Sequence, residues 1–433
     1  MENRVSELEE RLNKNSKNSH LPPSRDSSII KAANKRTKGG LRGGQKGHKG
    51  TTLDQFEEVD EVIEIGLPEN CICGHRLKGV DVEVFDTRQV VDIPVQKFTV
   101  TEYQRLSCVC PGCNKIITGS YAPEVVAPVQ YGVNIQALST LLNNEYKVPV
   151  GKISQFFEDI FGLRINESTI CSINKRCYNL MANLEQHIIS NILDSKVAHV
   201  DETGIMVNAD LFWMHVISTE YYTYLRVHKK RGAEAFDKVI TEFEGHLVHD
   251  FFKSYFGLSK SKHNTCGSHI SRELEALIEN NSKWAGKLKP LLLELLHNSY
   301  HYNKTHKQEI ISEYDNILKQ GIKQEPKAQR IGKRGRESKS KGLNLIERLQ
   351  KYKTSVLEYA FNPIIPFTNN QAERDLRHCK IKLKVSGCFR SVEGAHFYAR
   401  IISVISTLRK NSLNIFESLQ YLFKTGQLEL SLT

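Results

Sequence analysis

Three acidic residues, far apart in the chain, stand in settings that suit metal chemistry better than a solvated surface. In "KVAHVDETG", Lys196 to Gly204, side chains alternate between the two faces of a β-strand. Asp201 is expected at that strand's end, on the face of Val197 and His199. A second alternating run, "GHLVHD", delivers Asp250 in the same way, with His246 and Val248 on its face. The third acid, Glu373, lies in "PFTNNQAERDLRHCKIKLKVSGCFRS", in the first turn of a helix for which Asn370 is the expected N-cap. Hard anionic oxygens from two strands and a helix are the donor set for phosphoryl transfer with two divalent ions, Mg²⁺ or Mn²⁺, held about 3.5–4 Å apart. Each acid also has a structural reading, Asp201 and Asp250 as caps and Glu373 as a capping-box partner. Their conjunction favours the metal.

The helix around Glu373 carries its own pattern. Glu373, Arg377, Lys380 and Lys384 repeat at helical spacing, and Ala372, Leu376, Cys379 and Leu383 form the neighbouring apolar stripe. One side is expected to be buried and the other, an acid followed by three bases, to face the site. There Arg377, Lys380 and Lys384, with Arg374 and Arg390, can hold the phosphates flanking a cut, the plain alternative being a solvated face.

A cysteine cluster lies upstream. "NCICGH" supplies Cys71 and Cys73, and "LSCVCPGCNK" supplies Cys108, Cys110 and Cys113. Four thiolates from two knuckles make a closed tetrahedral Zn²⁺ site, and Cys110 with Cys113 is a regular C-x-x-C knuckle. The first knuckle is C-x-C, so Cys71 serves with a shifted backbone, or Cys108 or His75 completes the shell. The runs "VEVFDTRQVVDIP" and "KFTVTEYQRLS" between the knuckles are expected to pair as strands, making a zinc ribbon. Further on, "CGSHISRELE" places Cys266 and His269 on adjacent turns. Two donors are too few for zinc, so they are assigned to packing or substrate contact.

The stretches "VDETG", "VHDFFKSY", "CGSHISREL", "PFTNNQAERDLR", "KVSGCFRS" and "GAHFYARIISVISTLRK" together resemble the transposases of insertion sequence family sixty-six, the TnpC-type DDE transposases. The likeness extends to the amino-terminal "NKNSKNSHLPPS" and "GGQKGHKGTTL". It implies a leucine-zipper-like start, here abbreviated to Val5, Leu8 and Leu12, and a zinc-finger domain whose first knuckle is C-x-x-C. In this chain Asn70 stands where the first of those cysteines belongs. It also implies small helper proteins encoded by the same element.

Composition agrees with a nucleic-acid enzyme. The 433 residues are 39% hydrophobic, enough for a sizeable core and two to four domains, and the net charge of +11 suits a polyanionic partner. No apolar run approaches the roughly 18–20 residues of a membrane span, so a cytosolic, nucleoid-associated protein with reduced cysteines is expected. From Asn13 to Gly50 periodicity vanishes, and seven bases with no acid fall between Lys31 and Gly50. Lys35, Arg36, Lys38, Arg42 and Lys46 are the candidates there for tracking phosphates, unless the segment is only a linker. "KAQRIGKRGRESKSKG", Lys327 to Gly342, invites the same pair of readings.

Tyr131 to Gln186 is expected to be helical, broken at Gly162 and capped again at Asn166, a helix-turn-helix-like pattern that Lys175 and Arg176 favour slightly. Beyond it "KVAHVD", "LFWMHVIS" and "YYTYLRVH" read as strands, Ala233 to Phe243 as a helix and "HLVHD" as a fourth strand. That order indicates a multidomain α/β protein with a ribonuclease H-like catalytic core. The expected division is a zipper-like segment and basic linker over 1–50, a zinc-ribbon-like module over 51–120 and a helical region over 128–190. The catalytic domain follows over 191–391, with a helical insertion at about 265–360, and a carboxy-terminal helical region over 392–433. The function expected is a DDE transposase acting on double-stranded transposon ends and target DNA, with two Mg²⁺ or Mn²⁺ ions, one structural Zn²⁺ and a homo-oligomer assembled on DNA. The alternatives are a transposase-derived repressor without catalysis, or a ribonuclease H-like structural nuclease or resolvase.

Overall fold

A computed structural model describes residues 14–15, 17–19, 55–79, 81, 83–84, 86–91, 98–122, 125–298, 304–326 and 339–428. The zipper-like start, the basic segment with Lys35, Arg36, Lys38, Arg42 and Lys46, and most of the basic stretch after Lys327 lie outside these residues. The chain divides into two compact units, Ser28–Phe98 and Met1–Ser27 together with Thr99–Thr433.

Among the described residues of the smaller unit no strand forms; a single antiparallel bridge joins Asn70 to Arg76 around the turn that carries Cys71 and Cys73. The strand expected in "VEVFDTRQVVDIP" is therefore not found there. Its described apolar residues Val84, Val90 and Val91 are exposed, Val84 by 81% and Val90 by 92%, and a strand with no face to bury has little to hold it. The described residues of "KFTVTEYQRLS", Phe98 to Ser107, likewise form no ladder before Ser107. There β1 (Ser107–Val109) pairs antiparallel with β2 (Ile116–Thr118), a short hairpin carrying the Cys110–Cys113 knuckle.

Four helices follow: α1 (Val133–Asn144), α2 (Val150–Phe161), α3 (Glu167–Leu180) and α4 (Ala182–Leu193). Gly162 ends α2 at φ 69°, where a side chain would be strained, and the Asn166 side chain accepts the Ser168 N–H to start α3. Arg176 is engaged at home: it donates to Gln136 Oε1 at 3.1 Å and lies over the Phe423 ring. Residues of α1, α3 and α4 join one hydrophobic core with the sheet.

The sheet holds β3 (Val197–Val207), β4 (Asp210–Ser218), β5 (Thr223–His228), β6 (His246–His249) and β7 (Lys262–Thr265), in the order β5-β4-β3-β6-β7. β3, β4 and β5 form an antiparallel meander, and β6 and β7 run parallel to β3. The helix expected over Ala233–Phe243 is instead a 3₁₀ turn at Ala233–Ala235 and the one-turn α5 (Lys238–Thr241). Asp237 causes the break by capping α5 through the Ile240 N–H while pairing with Arg226 at 2.8 Å. After β7 come the helices of the insertion, α6 (Gly267–Glu279), α7 (Lys283–His297), α8 (Lys304–Gln324), α9 (Lys341–Lys351) and α10 (Lys353–Phe361). They enclose a core of their own around Trp284, Leu288, Tyr314 and Ile346.

The last helices are α11 (Asn370–Ser386), α12 (Val392–Lys410) and α13 (Ile415–Thr425). Alternation along the strands separates the sheet's two faces: Ala198, Val200 and Ile217 join the core with α1, α3 and α4, while Ile205, Val207, Met214 and Val216 pack against Ala372, Leu376 and Cys379 of α11. α12 supplies residues to both. Its end is locked by Lys410, whose Nζ donates to Asp375 Oδ2 at 2.8 Å and to the carbonyls of Thr219 and Tyr222 at 2.9 and 3.0 Å. Both side chains are largely buried, so Lys410→Met leaves the Asp375 carboxylate without its cation. The expected cost is about 3–5 kcal/mol. Urea unfolding should show the lowered midpoint, and an unchanged midpoint would mean the pair is idle.

Candidate metal-ion site

Parallel pairing sets the level of the two aspartates. Val197 pairs with His246 and His199 with Val248, and the same register continued two residues places Asp201 opposite Asp250. Neighbouring strands lie about 4.8 Å apart, and residues at one level of a parallel pair point to the same face. β3 does not end at Asp201 but continues to Val207 alongside β4, so Asp201 stands mid-strand, where β6 has just ended. Each aspartate spends one oxygen locally: Asp201 Oδ1 accepts the Glu202 N–H at 2.9 Å and Asp250 Oδ1 accepts the Phe252 N–H at 2.8 Å. Asp250 thus does cap a turn, and the other oxygen of each remains for a ligand. Burial, then the nearby Glu202 and Asp250 carboxylates, push the Asp201 carboxyl up to about 8. A buried acid opposed by other acids is one whose charged form a cation would stabilise.

Asp201 and Glu202 are adjacent but face opposite sides of the sheet. Glu202 accepts from Arg231 Nε at 2.9 Å and Nη2 at 2.8 Å and from the Tyr255 hydroxyl, with Arg231 lying over Trp213 and Phe252. Its charge is spoken for; that of Asp201 is not.

Helix α11 covers the Asp201 face of β3 and is pinned to it at both ends. At its start Asn369, not Asn370, is the N-cap, and its side chain makes no cap bond. Instead Asn369 Nδ2 donates to Val200 O at 2.8 Å and Oδ1 accepts from His199 Nδ1 at 3.0 Å. Since that oxygen can only accept, His199 carries its proton on Nδ1. Burial lowers the imidazole to about 4 and keeps it neutral. At the far end Gly387, at φ 73°, turns the chain so that the Phe389 N–H reaches Met206 O and the Asn208 N–H reaches Phe389 O, each at 2.8 Å.

With Asn369 as N-cap, Glu373 is the fourth helical residue, one past the capping-box position, so that structural role lapses. Its Oε1 is buried and accepts no hydrogen bond. Glu373 is instead grouped with Cys266 and His269, their ligand atoms all within 4.8 Å. Ala372, Leu376 and Cys379 are fully buried, while Arg374, Arg377, Lys380, Lys384 and Arg390 are exposed. Among these bases Lys380 reaches far enough electrostatically to favour ionised Asp201. Sequence reading missed Asn369 and His199, which orient the helix, and the third partner of Cys266 and His269; "FTNN" before the helix was the available signal for Asn369.

Each cysteine knuckle is formed locally. The Cys71 N–H bonds His75 O at 2.9 Å, and the backbone and side chain of Cys73 donate to the Cys71 sulfur, lowering its thiol. Backbone N–H groups of Gly112 and Cys113 do the same for Cys110, and the Cys113 side chain adds to it. Donors aimed at sulfur favour the thiolate, the form that binds zinc.

No helix among the described residues is long and apolar enough to cross a membrane. A family model described as "Transposase IS66 family" matches residues 128–397, and one described as a family of unknown function matches residues 1–54. No curated protein matches the chain.

Proposed function

The chain belongs to the IS66 transposase family, and from that premise we propose that it cleaves DNA at the ends of an insertion sequence and joins the freed ends to target DNA. The observation that carries this reading is the register of β3 and β6, which, continued by two residues, sets Asp201 level with Asp250 on a strand that α11 packs against. The strand order β5-β4-β3-β6-β7 supports a ribonuclease H-like core, since a meander followed by parallel strands brings both aspartates to its centre.

Carboxylate oxygens of Asp201, Asp250 and Glu373 are the donors that would hold two Mg²⁺ or Mn²⁺ ions. Those ions, when bound, favour the nucleophilic form of water or a hydroxyl and offset charge on the phosphate. The chain's own residues orient the reaction. Asn369 and Phe389 fix α11 over the strand, and Arg374, Arg377, Lys380, Lys384 and Arg390 bind phosphates flanking the cut. In the first step the oxygen of water attacks phosphorus and a 3′-hydroxyl leaves. In the second that hydroxyl attacks a target phosphate and displaces its 3′-oxygen, with no covalent bond to the protein. We also expect assembly as a homo-oligomer on DNA.

The test is a strand-transfer assay with Mg²⁺ and oligonucleotides bearing the terminal inverted repeats that flank the gene. Joined products that require those repeats are expected. End-specific binding without cleavage would leave a repressor, and cleavage of branched DNA irrespective of the repeats would leave a resolvase.

A further inference from the structure

Cys266 occupies the N-cap position of α6 and His269 its first turn, so the C-x-x-H spacing points both side chains from one end of the helix. That end is clamped against the segment leading into α11. The Gly267 N–H donates to Phe367 O at 2.7 Å, and a Cβ at Gly267 would fall 2.1 Å from the Phe367 ring, so only glycine permits the approach. The Asn369 N–H donates to Cys266 Sγ at 3.2 Å. The clamp brings Glu373 to the pair, with His269 Nε2 at 4.0 Å from Glu373 Oε1 and all three ligand atoms within 4.8 Å. Here a sulfur and an imidazole flank a buried carboxylate oxygen that accepts no hydrogen bond.

We propose that Cys266, His269 and Glu373 form a three-donor site for one borderline divalent cation, of which Zn²⁺ is the best match, and that its occupancy withdraws Glu373 from the acidic pair. The second clause rests on the transposase reading; the first does not. One soft, one borderline and one hard donor exclude Mg²⁺, which takes an octahedron of oxygens, and suit tetrahedral zinc. Zinc bonds of about 2.0–2.3 Å require donors roughly 3.3–3.7 Å apart, so closing the site takes relative shifts of the donor atoms of up to about 1–1.5 Å, within the reach of side-chain rotation. Three protein donors leave the fourth position open, the arrangement of an exchangeable ion rather than a sealed structural one. Because a carboxylate bound to zinc in this pocket cannot serve Mg²⁺ beside Asp201, zinc acts as an inhibitor of the Mg²⁺ reaction.

The experiment titrates Zn²⁺ into the full chain against a chromophoric chelator, comparing the parent with His269→Gln and Cys266→Ser. Each variant is expected to bind one equivalent fewer, or to hold it more weakly by at least the roughly 10–100-fold that even outer-shell changes cause. Unchanged stoichiometry and affinity in His269→Gln overturns the site; that residue is part-exposed, so this arm stands even if the buried Cys266→Ser chain fails to fold. Asp201→Asn keeps the zinc equivalent in either case. An active Asp201→Asn chain would therefore refute the catalytic reading while zinc binding still decides this one.

Discussion

Asp201→Asn should reduce cleavage and strand transfer by orders of magnitude and, in the absence of metal, make the chain more stable. The two effects have one origin. Burial and the neighbouring Glu202 and Asp250 carboxylates raise the Asp201 carboxyl from 3.8 to about 8, so in the folded chain its charge is unwelcome until a cation arrives. Between those values the folded chain holds a proton that the unfolded chain has released. Its stability therefore falls as pH rises from about 4 to about 8 and levels off above. Asn, neutral throughout, removes this penalty, so its gain in unfolding midpoint should be small at pH 4 and largest at pH 8. Adding Mg²⁺ should stabilise the parent and narrow the gap, because the ion binds only the folded acid. A cap residue predicts the opposite sign, a loss of about 1 kcal/mol at every pH. Thermal unfolding across this pH range, with and without Mg²⁺, separates the two, and a destabilised, active Asn variant would remove Asp201 from the site.

How much of this was legible in the sequence depends on how local the signal is. Alternation in "KVAHVD" and "GHLVHD" marks the strand that holds Asp201 and the one that ends just before Asp250, because that pattern records burial directly. Their level pairing was not legible, since register is set by strands distant in sequence. Nor was the length of β3: "ETGIMV" continues the strand only because β4 pairs with it through Val207. The same limit hid Asn369, which forgoes its cap bond for Val200 and His199, contacts that exist only once α11 lies on the sheet. Two adjacent asparagines made Asn370 an equally good cap on local grounds. The runs "VEVFDTRQVVDIP" and "KFTVTEYQRLS" show the converse. Their β-formers predict strands, yet their exposed apolar residues meet no packing surface among the described residues. Cys266 and His269 count as only two donors in the local sequence because the third, Glu373, arrives from α11.

Glu373→Gln should abolish Mg²⁺-dependent cleavage and strand transfer while leaving the fold and DNA binding in place. The change keeps the side chain's length and shape. Glu373 is one residue beyond the capping-box position and its buried Oε1 accepts no hydrogen bond, so no structural bond is lost. The unfolding midpoint is therefore expected to shift by no more than the roughly 0.5 kcal/mol typical of a change away from structural features. DNA binding should hold or tighten slightly. Arg374, Arg377, Lys380 and Lys384 remain on the exposed face of α11, and one negative charge fewer beside them strengthens attraction to phosphate. Only the demand for a hard anionic donor distinguishes Glu from Gln here, because an amide oxygen brings no charge to offset that of a divalent ion. The measurement combines strand transfer, a DNA-binding titration and thermal unfolding on one preparation. Loss of activity with the other two intact assigns Glu373 to the metal-ion site. Full activity in the Gln variant would exclude it, and with it the pairing of the strand aspartates to α11 on which the two-ion mechanism depends.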